Sequence, residues 1–352
     1  MLTKILSGDM PRSTALAVVL IAILIGLAFA PFIFPGVRSV DTAARISIFI
    51  VLVASYDLML GYGGIVSFAH TMFFGLGAYG VALASTHMGR GFDALLVGSV
   101  SGALIAALLA LLIGLFSLRV RAIFFAMITL AVASAVAVLV SQLSGLTGGE
   151  DGLSYKIPRA LGPAFKFADG ELFGVRMDGK LLKYYLVFFS SLILFLVMLR
   201  IVHSPFGRVL LAIRENDFRA EAIGYRVVHY RVAATCISAA IAALAGALYA
   251  IWLRYVGPDT SLSMEIMIDI LLMVVIGGMG TMYGAVIGAT LFVLAQNYLQ
   301  NLMDVAANAV TGVPILPDLL NADRWLLWLG VLFILSVYFF PTGIVGRLRQ
   351  PR

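Results

Sequence analysis

Long stretches without a single charge recur along this chain and leave it little choice of architecture. "TALAVVLIAILIGLAFAPFIF" from Thr14 to Phe34 is one, and "AIFFAMITLAVASAVAVLVSQL" from Ala122 to Leu143 is another. Crossing a hydrocarbon core takes about 20 helical residues. A helix satisfies its own backbone polar groups in lipid, and no alternating ten-residue strand pattern points to a barrel. Composition agrees, since only 12% of the 352 residues are charged and the mean hydropathy is +1.04, against roughly 25% charged residues in soluble chains. The expected fold class is all-α: a polytopic transmembrane helical bundle forming one domain over 1–352.

About ten spans are expected, at 14–34, 43–60, 65–86, 94–117, 122–143, 183–202, 231–254, 264–280, 282–300 and 325–341. The first run contains "AFA" at 28–30, but it exceeds the h-region of a signal peptide and runs into Pro31, so it reads as an uncleaved span. An even number of spans puts both termini on one side. The positive-inside rule makes that side cytoplasmic, with Lys4, Arg12, Arg119, Arg121, the segment 203–230 and the tail "GRLRQPR" within. The bias is modest, with 13 of the 24 Lys and Arg inside. Six of the outer cations lie in or beside the loop 144–182, which carries five acids of its own. That loop is expected to lie across the periplasmic face, its glycines and prolines marking turns. Cys236 lies in an apolar run and, as the single cysteine, excludes an intrachain disulfide.

Several signatures are absent or fail. "GVRMDGKL" at 174–181 imitates a phosphate-binding loop, but Leu181 stands where Ser or Thr would ligate magnesium, and no hydrophobic strand precedes it. The four histidines are scattered, so no metal site is expected, and nothing indicates a nucleic-acid partner.

Other residues carry candidate roles. Gly280, Gly284 and Gly288 form a small-residue repeat, and Gly75, Gly77 and Gly80 put small residues on the third span, as close helix packing requires. Gly61, Gly63, Gly64, Gly277 and Gly278 have a second reading, as breaks that open backbone groups to a pathway. An approximate echo joins residues 57–80 to 269–289, with both glycine clusters on one side of the membrane. Acids within spans are costly, which makes Asp57, Glu265 and Asp269 pathway candidates; Glu265 and Asp269 share a helix face. Ser67 and His70 join that set, although a histidine amid "SFAHTMFFG" equally suits helix packing.

The segment from His203 to Arg231 gathers charge that the rest of the chain avoids. Ser204 and Pro205 suit an N-cap and first helical position, Asn216 and Asp217 a turn, and Gly224 the close of a second short helix. Phe206, Leu210 and Ile213 form an apolar face toward a partner's groove or the membrane base, and Arg214, Glu215 and Glu221 form the rim, with Gly224 at the end.

"GYGGIVSFAHTMFFGLGAYG", "LTGGEDGL", "SPFGRVLLAIRENDFRAEAIGYRV" and "VVIGGMGTMYGAVIGA" resemble the permease subunits of branched-chain amino acid ABC importers, of the LivM type. The likeness covers about residues 43–346. It implies a non-enzymatic transport subunit of the bacterial inner membrane, embedded in lipid and passing Leu, Ile or Val inward. It also implies a LivH-like second permease, two LivG- and LivF-like ATPases that bind the ATP and Mg, and a periplasmic amino-acid-binding protein. By this likeness 203–230 is the coupling segment, with "EAIG" at 221–224 similar to the EAA loop of other ABC importers. Two departures bear on the solute: Asp57 stands where "GLNLLLGY"-like sequences carry Asn, and "GGED" has two acids where Ser-Asp is common. Urea and short-chain amide importers share the permease type. An ion-coupled transporter relaying through Asp57, Glu265 and Asp269, or a non-transporting scaffold, are the readings from other classes.

Overall fold

The computed structural model describes residues 13–34, 36–117, 122–172, 175–309, 324–340 and 342–349; Lys4, Arg12, Arg119, Arg121 and Arg352 lie outside them. The apolar runs form helices α1 (Thr14–Ala28), α2 (Val37–Asp57), α3 (His70–Met88), α4 (Phe92–Ser117), α5 (Ala122–Gln142) and α6 (Gly179–Val202). The charged segment folds as α7 (Pro205–Glu215) and α8 (Asp217–Ala222). Then come α9 (Val227–Leu253), α10 (Met264–Gly277), α11 (Met282–Ala309), α12 (Trp325–Phe339) and α13 (Gly343–Arg349). Seven helices among the described residues, α2, α4, α5, α6, α9, α10 with the turn before it, and α11, are long and apolar enough to cross a membrane. The shorter apolar helices α1 and α12 join them, and the chain is a polytopic helical membrane protein.

The bundle is organised around α2, 89% of whose apolar window is buried, whereas α5 buries 11% and turns its apolar side chains outward. On one side α9 packs against α3 and α4; on the other α10 and α11 pack together, and α2 touches α9, α10, α11 and α6. Only His203 and Ser204 separate α6 from α7, so the Gly179 end of α6 lies at the opposite end of the bundle from α7 and α8. The α7–α8 end is called the base and the other the mouth. Helix α9 runs from base to mouth, and α10 returns to the base.

At the mouth, 144–178 folds into short helical turns and two small sheets, as its glycines and prolines led one to expect. Strand β1 (Leu153–Ser154) pairs antiparallel with β4 (Tyr255–Val256), stitching the loop to the end of α9, and β2 (Lys166–Leu172) pairs with β3 (Val175–Asp178). Strand β3 lies within the 174–181 stretch and the strand before it, β2, is the polar sequence KFADGEL, so no hydrophobic strand leads into a phosphate loop there. The Asp178 carboxylate caps α6, accepting from the Lys180 and Leu181 amides at 3.0 and 3.2 Å.

Helix α3 starts at His70 instead of residue 65, because Gly63 and Gly64 end the previous helix and 65–69 runs as irregular chain. Its glycines serve packing. A Cβ at Gly77 would lie 1.7 Å from the Ala243 carbonyl oxygen of α9, and one at Gly246 would lie 1.9 Å from that of Phe74. Gly284 and Gly288 bring α11 against Gly277 and Met273 of α10 in the same way. Gly280, third member of the expected repeat, precedes α11 with φ +78° and has a different use.

Gly77→Ala and Gly246→Ala must push backbones apart, and each is expected to cost about 1–3 kcal/mol as overpacking does. Gly26→Ala and Gly330→Ala, with nothing within 4 Å, should stay within about 0.5 kcal/mol of wild type. Thermal retention of the monodisperse peak in detergent checks both; an unshifted Gly77→Ala profile would remove the close-packing account.

Candidate functional site

At the base the central helix does not end cleanly. After Asp57, α2 continues as a π-helical turn, Leu58–Tyr62, in which the Gly63 amide reaches back to the Leu58 carbonyl, and Gly64 then takes φ +66°. The α10–α11 connection makes a second break, with Gly278 at φ +117° and Gly280 at φ +78°. Both breaks free backbone groups that the membrane interior cannot solvate.

The two breaks satisfy one another. The Gly280 amide donates to both oxygens of Asp57, at 2.9 and 3.2 Å, and Asp57 is 1% exposed. Arg214, from α7, donates through a guanidinium nitrogen to the Gly61 carbonyl, and its charge also acts on Asp57. A Cβ at Gly61 would meet the Asp57 Oδ1 at 2.1 Å and the Gly280 nitrogen at 2.3 Å, so only glycine admits the contact. One acid, one arginine and two glycines thus join three elements: the broken end of α2, the α10–α11 turn and α7. The echo between 57–80 and 269–289 is a physical meeting on one side of the bundle.

The remaining sequence-selected residues scatter around this junction. Gly277 and Gly278 form the α10 side of the second break, where Gly278 also abuts Gly343 at the start of α13. Ser67 is buried and accepts from the Ala69 amide at 3.2 Å, bracing the irregular chain before α3. His70 is fully buried, with Nε2 2.9 Å from the Ser55 hydroxyl and its ring edge-on to Tyr56. Ser238 of α9 donates to the Ser55 carbonyl at 2.5 Å, so His70 belongs to a polar knot between α2, α3 and α9. Glu265 and Asp269 share one face, as their spacing implies, but near the mouth end of α10, where Asp269 faces Gln296 of α11. Asp269 lies eight positions before Gly277, about 12 Å of helix, so Asp57 at the second break does not adjoin the other two acids.

Helices α7 and α8 form where expected, with Ser204 and Pro205 at the start and Gly224, at φ +96°, beyond the end. The Ser204 hydroxyl donates back to the Ile201 carbonyl instead of capping, whereas Asn216 caps α8 by accepting from the Arg219 amide at 2.9 Å. Of the two surfaces open to the apolar face, the membrane base receives it. Leu210 and Ile213 are buried at 0% and 1% exposure, and Phe206 stacks on Tyr230 of α9. Arg231 pairs with Asp217 at 3.5 Å, fastening α8 to α9. Glu215, Glu221 and Gly224 remain exposed, and the apolar side chains offered outward are Phe218 and Ile223, 79% and 73% exposed.

The mouth holds what sequence reading passed over. Two cavities of about 740 and 720 Å³ flank the end of α9 and share Leu253 and Arg254. The first is lined by Arg90, Lys156 and Arg159 and contains no carboxylate; the buried Tyr155 beside them has its phenol pushed up by desolvation and stays neutral. The second is lined by Arg38, Arg45, Lys180, Lys183 and a lone acid, Asp41. Arg254, common to both, has φ +61° and is the one non-glycine residue with positive φ among the described residues, at a helix end where glycine is usual. The signal was legible: Arg38, Asp41 and Arg45 are spaced three and four apart on one face of α2.

The family described as branched-chain amino acid transport system, permease component, matches residues 38–337 of this chain. The high-affinity branched-chain amino acid transport system permease protein LivM of Salmonella typhimurium is 29% identical over 324 residues, covering 88% of this chain and 71% of that protein. Its Escherichia coli namesake is 28% identical over the same extent. A probable branched-chain amino acid transport permease protein LivM of Methanocaldococcus jannaschii is 26% identical over 254 residues, 72% of this chain and 67% of that protein. No solved structure matches. With 38–337 matched, from the first turn of α2 into the last turn of α12, the chain belongs to the permease components of branched-chain amino acid transport systems.

Proposed function

We propose that this chain is one permease half of an ATP-driven importer of Leu, Ile or Val in a bacterial inner membrane. A sister permease, two ATPases bearing the ATP and Mg sites, and a periplasmic binding protein complete it. The base faces the cytoplasm and the mouth the periplasm. The observation that carries this reading is Arg214, which ties α7 directly to the Gly61 break, one helical turn from the Asp57 that holds the Gly280 amide. An ATPase seated on α7 and α8 then has a rigid handle on both helix breaks. A partner shifts a conformational equilibrium only through differential affinity for the two states, and this handle lets a closed ATPase pair prefer one arrangement of the breaks. The family match supports the branched-chain class. An ion-coupled relay is less well supported, because Asp57 is at the base and Glu265 and Asp269 are toward the mouth.

Uptake of labelled leucine into proteoliposomes holding the full complex is expected to require ATP and the ATPase subunits. Uptake driven by an ion gradient in this chain alone would overturn the reading.

Phe218 and Ile223 are the exposed anchors for the ATPase. Buried interface anchors are worth roughly 2 kcal/mol or more, so Phe218→Ala should weaken ATPase retention by more than about tenfold. Ile213→Ala should instead lower folded yield, since Ile213 packs within this chain. Glu221→Lys and Gly224→Pro should release the ATPases or uncouple them while the bundle still inserts. Pull-down of the ATPases by each variant checks this; unchanged retention with Phe218→Ala would reject α8 as the docking helix.

Arg214→Gln is expected to leave folding and ATPase binding intact and to give hydrolysis without uptake. Asp57→Asn keeps an acceptor oxygen for the Gly280 amide and should insert normally, whereas Asp57→Ala strands a buried amide at a cost of about 1–3 kcal/mol. Parallel ATPase and uptake assays read these outcomes, and coupled uptake at the wild-type rate in Arg214→Gln would exclude the junction from transmission.

A further inference from the structure

We infer that the mouth cavity walled by Arg38, Asp41, Arg45, Lys180, Lys183 and Arg254 is a binding site for a zwitterionic amino acid, holding its carboxylate on the cations and its ammonium on Asp41. This rests on the proposed amino acid transport. The cavity, about 720 Å³, lies within the range of small-molecule sites and faces away from α7 and α8.

Among the described residues no ion pair neutralises these cations. Arg45 stands eight residues inside α2, about 12 Å from its start, where a charge is costly unless partnered. Lys183 is buried, at 6% exposure. Its Nζ donates to the Trp252 carbonyl at 2.9 Å and lies 4.3 Å from the centre of the Trp252 ring, which fixes the ammonium in position. Neither contact supplies negative charge, and no carboxylate among the described residues pairs with Arg45, Lys183 or Arg254. Arg38 differs: it donates to the Asn297 carbonyl at 2.6 Å and lies over the Tyr298 ring, so it acts as wall.

The single acid is placed to select a zwitterion. Asp41 and Arg45 are one helical turn apart on the same face of α2, a negative and a positive group side by side. An α-amino acid presents the complementary pair on one carbon, and Val37, Trp252 and Leu253 give its apolar side chain a wall. Urea and neutral amides carry neither charge and leave the cations unpaired. The adjoining cavity, with Arg90, Lys156 and Arg159 and no acid, extends the positive field across the mouth and favours approach carboxylate first.

Equilibrium dialysis of labelled L-leucine against the full chain with its sister permease, in phosphatidylcholine nanodiscs, tests the site. Leucine should bind, and leucinol, which lacks the carboxylate, and urea should not compete. Arg45→Gln should weaken binding more than tenfold. Arg254→Gly is the control for folding: glycine relieves the left-handed backbone, so thermal stability should hold or rise while leucine binding falls severalfold. Leucinol competing as well as leucine, or both variants binding normally, would overturn the proposal. Bound phosphatidylglycerol that excludes leucine and is lost from Arg45→Gln would assign the cations to a lipid headgroup and overturn it too. ATP-driven uptake by the full complex separates the two readings. Uptake without a carboxylate-dependent site defeats this inference alone, and failure of all amino acid uptake defeats the proposed function.

Discussion

The backbone groups freed where two helices break must find partners inside the protein, and the rest of the base is arranged around that requirement. An unbroken helix through lipid asks nothing of its neighbours beyond packing. The breaks at Gly61–Gly64 and Gly278–Gly280 ask for a donor and an acceptor. Asp57 accepts from the Gly280 amide and Arg214 donates to the Gly61 carbonyl. Asp57 is affordable in so buried a place because it meets an amide and feels a guanidinium. Asn at this position would accept the same amide with one oxygen, without attraction to Arg214.

The same logic explains why α7 is not a loose amphipathic helix. Leu210 and Ile213 are in the chain's own core, Phe206 is stacked on Tyr230, and the Arg231–Asp217 pair holds α8. A handle transmits displacement only if it is stiff relative to what it moves. The π-helical turn and three positive-φ glycines at the junction are the compliant part; the packed helix is the rigid one. The outward apolar residues, Phe218 and Ile223, sit on the far side of that lever.

Much of this was legible in the sequence, and the misses have physical reasons. Uncharged runs gave the helices because lipid admits few alternatives, and the Pro205, Asn216 and Gly224 signals bounded α7 and α8 because turn and terminus preferences act locally, although Ser204 makes no capping bond. The role of Gly77 was legible as small-residue spacing, but not which helix it would meet, and its counterpart Gly246 on α9 was not singled out. The use of Asp57 was hidden for the same reason: its partner, the Gly280 amide, is 223 residues away and is a backbone group, which no residue pattern announces. Glu265 and Asp269 share a face as their spacing dictates, yet which neighbour that face meets depends on how α10 is rotated in the bundle.

The mouth cations were missed through a boundary. Starting the second span at residue 43 put Arg38 and Asp41 outside it and left Arg45 as a stray interfacial charge, when all three occupy one face of α2. The count of outer Lys and Arg carried the same message in another form. Positive-inside bias reflects topology alone only when cations have no other work, and here Arg38, Arg45, Arg90, Lys156, Arg159, Lys180, Lys183 and Arg254 line two cavities at the mouth. Among the described lining residues of those two cavities Asp41 is the single carboxylate. A weak charge bias across a membrane protein is thus informative in itself: the cations that blur the topology signal here are the ones that line the two mouth cavities.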